Sequence, residues 1–307
     1  MLTHLQACQL CGGSQFIGMD LAYKQDPFVP KEVAETLGWS MCTQCSFLFQ
    51  NPRRSREKQE EYYSDSGYRK TGPTPIPEGC IRYSPHQMAR FAYWLAVGGV
   101  DLRAISGWNC LDFGCGIGGA LDFLAGQGND VYGVELDRIL SEFGNSHFRT
   151  KIKPRVSDLP ADLMFDLIWS HHSLEHVYDP NEFFTFARER LKPGGLLINV
   201  IPTWRYSNTM ESLREFNSSH NCMYDHVSFG GFLNKYGFFM ESHLYHNQAT
   251  DGDWELCAIA RKSGRRNYFS FTIQETMAEL YTHIPKREGE RKDTGVPENV
   301  AVVYGKA

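Results

Sequence analysis

Apolar positions along this chain switch between two periods, and each switch predicts an element. Residues 109–113, NCLDF, form a short apolar strand, and ALDFLAGQG behind them has helical spacing and stops at glycine. DVYGVEL is a second, valine-containing strand, followed by a helix around Arg138 to Phe148. A weak strand near Lys151 to Val156 and a strong one, FDLIWS, ending at Ser170 come next. Asn181 to Leu191 is an amphipathic helix, LKPGG a turn and LLINVIP another strand. Strands alternating with helices of these lengths predict an α/β fold: a Rossmann-like, doubly wound parallel sheet with helices on both faces. Further on, FGGFLNKYGF reads as a helix closed by Gly237, and FFMESHLYH with WELCAIARK as a strand pair.

The flanks are patterned differently. After Phe47, the Asn51-Pro52 turn leads into a charged helical stretch that ends in Tyr62, Tyr63 and Tyr68. The Pro and Gly cluster TGPTPIPEG excludes helix and central strand and predicts a hinge or lid loop. Ser84 to Gly98 has Met88, Phe91, Ala92 and Leu95 at helical spacing behind a Ser cap and a first-turn Pro. From Gly264 the chain is basic and poorly patterned apart from TIQETMAELYTH. The expected organisation is therefore a metal-binding ribbon over 1–60, a helical linker and lid over 61–105, a nucleotide-type domain over 106–263 and a tail over 264–307. No internal repeat is present.

Composition sets limits on function. With 42% hydrophobic and 22% charged residues in 307, the chain can bury one large core plus a smaller attachment. No apolar run approaches the ~20 residues of a membrane span, and MLTHLQACQL lacks the order of a signal peptide. A cytoplasmic protein without membrane contact is expected. A net charge of -5, with Lys and Arg scattered outside the tail, gives no footprint for nucleic acid and favours a small-molecule partner.

Among nine cysteines, Cys8 and Cys11 form one CxxC and Cys42 and Cys45 another. Thiols in a reducing compartment read as metal ligands before disulfides, and four thiolates make a closed, structural zinc site. A segment of roughly 60 residues with few large aliphatics needs such a staple. Neither CxxC opens a helix in a strand-helix-strand unit, which argues against a redox motif.

Gly114, Gly116 and Gly119 satisfy GxGxxG between strand and helix, and Glu135 closes the next strand. Those glycines alone would fit a dinucleotide. Asp112, however, puts a carboxylate at the lip of the loop, where it repels a pyrophosphate. The ligand of opposite polarity is S-adenosylmethionine, a cationic ammonium and sulfonium with a ribose diol for Glu135, or for Asp137 nearby. A nicotinamide-dependent oxidoreductase and a non-catalytic zinc-ribbon adaptor stay open as other readings.

LDFGCGIGG, then GVELD, FDLIWSHHSLEHVYDP and LKPGGLLINVIP, resemble in order and spacing the class I S-adenosylmethionine-dependent methyltransferases over roughly Gly107 to Lys262. The paired CxxC followed by NPRRS and a YY segment is similar to the zinc-binding amino-terminal domain of sugar C-methyltransferases. That group carries a motif close to YHEHLSY. Here Met223 to Phe229 reads MYDHVSF, with Met223 in place of the leading Tyr, and only about 45 residues follow the last strand, too few for the group's extra carboxy-terminal domain. The resemblance implies in-line methyl transfer to a small molecule, a nucleotide-linked sugar or other secondary metabolite. It also implies a cofactor site from Asp112, Phe113, Gly114, Cys115, Gly116, Gly118, Glu135, Leu136, Asp158 and His171. Tyr68 and His86 would close the site from the amino-terminal side. A proton must leave the acceptor, and a carboxylate-oriented histidine suits that task. His226 beside Tyr224 and Asp225 is the first candidate and His176 the second; His171 and His172 read as wall residues, and Trp204 as a possible stacking platform.

Overall fold

The computed structural model describes residues 2–19, 37–64, 89, 91–96, 100–101, 105–205, 216–247, 254–265 and 267. The expected lid loop over 71–79, Tyr68, His86 and the stretch 272–283 lie outside the described residues.

In chain order, the amino-terminal part holds β1 (Leu2–Thr3), β2 (Phe16–Met19), β3 (Trp39–Cys42), β4 (Leu48–Gln50), β5 (Arg53–Arg54) and the helix α1 (Arg56–Ser64). The alternating part follows as β6 (Asn109–Phe113), α2 (Gly119–Gly126), β7 (Asp130–Val134), α3 (Arg138–His147), β8 (Ile152–Lys153), β9 (Phe165–His171), α4 (Pro180–Arg190) and β10 (Leu191–Thr203). It closes with β11 (Cys222–Met223), α5 (His226–Tyr236), β12 (Phe238–Asn247) and β13 (Trp254–Lys262).

Seven strands join in one sheet in the order β12-β13-β10-β9-β6-β7-β8. From β10 to β8 every neighbour is parallel, whereas β13 runs antiparallel to both β10 and β12. The expected parallel sheet is thus a mixed one. Only six residues, 248–253, separate β12 from β13 in sequence, too few for a crossover, so the pair must be antiparallel. Two other expectations shift. LKPGG is no separate turn but the start of β10, where the register slips between Leu191 and Leu196 around Gly194 at φ +73°. The strand near 151–156 shrinks to Ile152–Lys153.

Alternation along each strand sends side chains to two separate cores. Leu111, Ile168, Leu197 and Ala258 join one cluster, with Phe183 and Phe184 of α4 and Phe229 and Phe232 of α5. Cys110, Leu167, Ile198 and Cys257 join the other, with Leu121 and Leu124 of α2 and Phe91, Trp94 and Leu95 from the helical turn at 91–96. Helices therefore cover both faces. Phe184 stacks on Phe232 at 5.1 Å between ring centroids and 6° between planes, which locks α4 to α5. Truncating either ring to Ala should cost about 3–5 kcal/mol.

The amino-terminal strands make a sheet of their own, ordered β11-β4-β3-β2, while β1 pairs with β5. Its outer strand, β11, comes from the segment after β10, with Cys222 opposite Phe49 and Met223 opposite Leu48. Phe47 and Phe49 sit in the same core as α4 and α5.

Candidate functional site

The carboxyl ends of β6, β7 and β9 open onto a cavity of about 740 Å³, a volume suited to a ligand of cofactor size. The loop after β6 shapes one end. Gly114 has φ +77°, and a Cβ there would fall 2.1 Å from Ser173 Oγ. Only glycine fits both the backbone angle and the approach of the β9 loop. Glu135, at the end of β7, accepts from Gly116 N at 2.8 Å and from Asp137 N at 2.9 Å, so its carboxylate faces the loop. Asp112 is buried on the same wall, and burial, aided by the Glu135 charge, pushes its carboxyl up to about 8. Such a carboxyl holds its proton until a cation arrives.

Phe113, Cys115, Leu136 and His171 line this cavity with Asp112, Gly114, Gly116 and Glu135. Three expected contacts are placed elsewhere. Gly118 caps α2 at φ +81° and packs against Thr150, off the wall. Asp158 is exposed and its carboxylate accepts from Arg155 N, closing its own short turn, so the wall there is Val156 and Ser157. Asp137, the alternative ribose acceptor, is fully buried and caps α3 by accepting from Ile139 N and Leu140 N.

The other end of the cavity is built by rings and by the amino-terminal helix. Trp169, His171 and His172 stack in series, with His171 and His172 4.5 Å apart and 15° from parallel. His172 has φ +49°, a conformation rare outside glycine, and its Nε2 is hydrogen-bonded to Oε1 of the buried Glu255 on β13. His176 also lines the cavity, with Nδ1 2.9 Å from the Tyr63 hydroxyl. Tyr63 and Gln59 of α1 contribute wall directly, and the Gln59 amide donates to the His176 carbonyl. Glu255, Glu175 and Gln59 were not singled out in the sequence. Glu175 stands in LEHV beside His176, the one local signal available; nothing near Trp254 marks Glu255.

The MYDHVSF segment is used differently from expectation. Tyr224 is fully buried among Phe47, Phe229 and Phe232, and desolvation drives its phenol well above the ordinary value. Asp225 caps α5 by accepting from Ser228 N and forms a buried ion pair with Arg205 at 2.7 Å. His226 stacks on His243 at 4.8 Å, bonds Tyr245 through Nδ1 at 2.7 Å, and is brought down to about 4 by burial. None of these three lines the described cavity. Sequence adjacency of acid and histidine was misleading, because a helix start turns the acid onto backbone amides. Trp204 is likewise core, packed with Trp39, Met41 and Phe216.

Away from the cavity, Cys8, Cys11, Cys42 and Cys45 bring their sulfurs within 4.8 Å of one another. Cys8 lies 3.6 Å from Cys45 and Cys11 3.5 Å from Cys42. Four sulfurs at about 2.3 Å from a tetrahedral ion would stand roughly 3.8 Å apart, so the group fits zinc with little adjustment.

Comparisons with known proteins bear on the family and the fold. A family model described as a methyltransferase domain matches residues 67–243. A probable chloroplastic tocopherol O-methyltransferase of Oryza sativa subsp. japonica is 34% identical over 108 residues, covering 32% of this chain and 29% of that protein. Sterol 4-C-methyltransferase strm-1 of Caenorhabditis elegans is 28% identical over 127 residues, 38% of this chain and 37% of its own length. The chain thus spans about a third of these relatives. Among solved structures, magnesium protoporphyrin IX methyltransferase from Synechocystis PCC 6803 with bound SAH superposes with a TM-score of 0.51 at 14% identity, covering 68% of this chain and all of that one. That likeness concerns the fold.

Proposed function

Because the chain belongs to the methyltransferase-domain family, matched over more than half its length, we propose that it methylates a small molecule with S-adenosylmethionine as donor. One observation carries the reading: two acids, the buried Asp112 and Glu135, meet at the glycine loop, and Glu135 accepts from the loop's own Gly116 N. The Glu135 carboxylate would repel a pyrophosphate laid on that loop. A cationic amino acid joined to a ribose diol satisfies both. When bound, the cofactor supplies an electrophilic methyl group on a sulfonium. Gly114 and Gly116 let the backbone approach it, and Glu135 is placed to accept from the ribose hydroxyls.

The acceptor's proton is assigned to His172. Glu255 fixes a hydrogen on Nε2, which leaves Nδ1 as the proton-accepting nitrogen. That arrangement is the carboxylate-oriented base expected of Asp225 and His226, built instead from the residue that follows β9 and from β13. His176 and Tyr63 stand on the same wall as positioning groups. The acceptor class is a nucleotide-linked sugar or comparable secondary metabolite, supported by the paired CxxC and the methyltransferase motifs. Zinc in the four-cysteine group serves folding.

Calorimetric titration with S-adenosylmethionine, its demethylated product and a reduced nicotinamide dinucleotide tests the cofactor. Binding of the dinucleotide alone would overturn the proposal. For the base, His172→Ala and Glu255→Gln should each lower methyl transfer from labelled donor about a hundredfold, with product affinity within threefold. Metal analysis should find one zinc per chain.

A further inference from the structure

A second group of side chains meets beside the cavity and shares only His176 with the reading above. Glu175, His176 and His220 each bring one ligand atom within 4.8 Å of the other two. Glu175 is 1% exposed, and neither of its carboxylate oxygens accepts a hydrogen bond among the described residues. An ionised carboxylate in that condition is costly to bury, and a cation beside it relieves the cost.

The neighbouring ring says which kind. His176 Nδ1 lies 3.0 Å from the Ser219 carbonyl oxygen, which can only accept, and 2.9 Å from the Tyr63 hydroxyl, whose own hydrogen reaches that carbonyl at 3.4 Å; a hydrogen on Nδ1 suits all three contacts. In the neutral ring Nε2 then presents a lone pair, and it faces Glu175 Oε1 at 3.5 Å. Two lone pairs opposed across that gap match adjacent ligands of one ion: bonds of about 2.1 Å at the tetrahedral angle separate their ligands by about 3.4 Å. A ring whose far nitrogen donates to a backbone carbonyl is also how metal-bearing histidines are held. His220, buried, packs its ring 4.8 Å from that of His176 at 67°, which adds a third donor from a separate segment.

We propose that Glu175, His176 and His220 bind a divalent transition-metal ion, distinct from the four-cysteine group. Two imidazoles with one carboxylate suit zinc, iron(II) or cobalt(II) better than magnesium or calcium. Three protein ligands leave a coordination position open. Since His176 and Tyr63 line the cavity, that position would be open to an oxygen of the acceptor, a role that rests on the methyl-transfer reading; the ion site itself does not.

Cobalt(II) titration of the full chain, as purified, tests the site without any acceptor. Cobalt on the four cysteines gives intense near-ultraviolet charge transfer from sulfur, whereas cobalt on imidazole and carboxylate gives visible ligand-field bands alone. One equivalent of the second kind is expected. Glu175→Gln and His220→Ala should each weaken it tenfold or more, while affinity for the demethylated cofactor stays within threefold and certifies the fold. Absence of that equivalent, or an equivalent that neither variant weakens, overturns the proposal. Should a variant not fold, proton NMR of the wild-type cobalt protein decides: two strongly shifted, exchangeable imidazole N–H signals support the site, and fewer refute it. Loss of cobalt binding with cofactor binding intact would leave the methyl-transfer reading standing, and the reverse outcome would leave the ion site standing.

Discussion

The two ends of the cavity are built on different plans. The cofactor end comes from two successive strand-to-helix turns, residues 112–116 and 134–136, whose geometry is set by glycines and by the parallel pairing of β6 with β7. The acceptor end gathers α1, residues 169–176 and a carboxylate on β13, held by side-chain contacts across 83 positions in the case of His172 and Glu255 and 113 in the case of Tyr63 and His176. A site defined by backbone conformation announces itself in a short motif. One defined by long-range side-chain meetings does not.

Substitutions can test that division. Gly114→Val should have the largest effect, because its Cβ would overlap Ser173 at φ +77°; binding of the demethylated cofactor should fall more than a hundredfold by calorimetry. Unaltered binding would show that the loop backbone does not define this end. Glu135→Ala follows, at roughly ten- to a hundredfold, since it removes the partner of two backbone amides together with the ribose acceptor.

Asp112 adds a pH signature of smaller size. Its carboxyl is raised to about 8 in the folded protein from 3.8. Between those values the folded state keeps a proton that the unfolded state has lost. Stability should therefore decline as pH rises from about 4 to 8, by at most about 1.4 kcal/mol per unit, and level off above. Chemical unfolding at several pH values should show this slope in wild type and its flattening in Asp112→Asn. Affinity for the cationic cofactor should rise over pH 6 to 8 in wild type alone. The smallest change is expected at His226. Its ring is lowered to about 4, so it contributes stability above pH 6.5 that is lost as pH falls toward 4. His226→Gln should leave cofactor affinity untouched and soften acid unfolding. A fall in affinity would bring MYDHVSF back to the acceptor end.

Much of the fold was legible because periodicity reports burial, and the sheet strands obey it residue by residue: Cys110 and Leu111 go to opposite cores as alternation demands. The insertion of β13 between β10 and β12 was not, since strand order depends on pairing partners that no local pattern names. Gly118 and Asp158 were misplaced for a related reason. Each belongs to a motif, but a φ of +81° in one and a turn-closing carboxylate in the other spend the residue on its own backbone. Asp225 shows the same competition: an acid before a helix caps it before it serves any neighbouring histidine.

The pairing of Cys222 with Phe49 sets a timetable for synthesis. About 170 residues separate the partners, so at about 5–20 residues per second roughly ten to thirty seconds pass between the emergence of β4 and of the strand that flanks it. During that interval the nascent amino-terminal sheet has a bare edge and Phe47 and Phe49 lack the aromatic rings of α4 and α5. The amino-terminal half must therefore wait on the growing chain, and expressing it alone should yield an aggregating fragment.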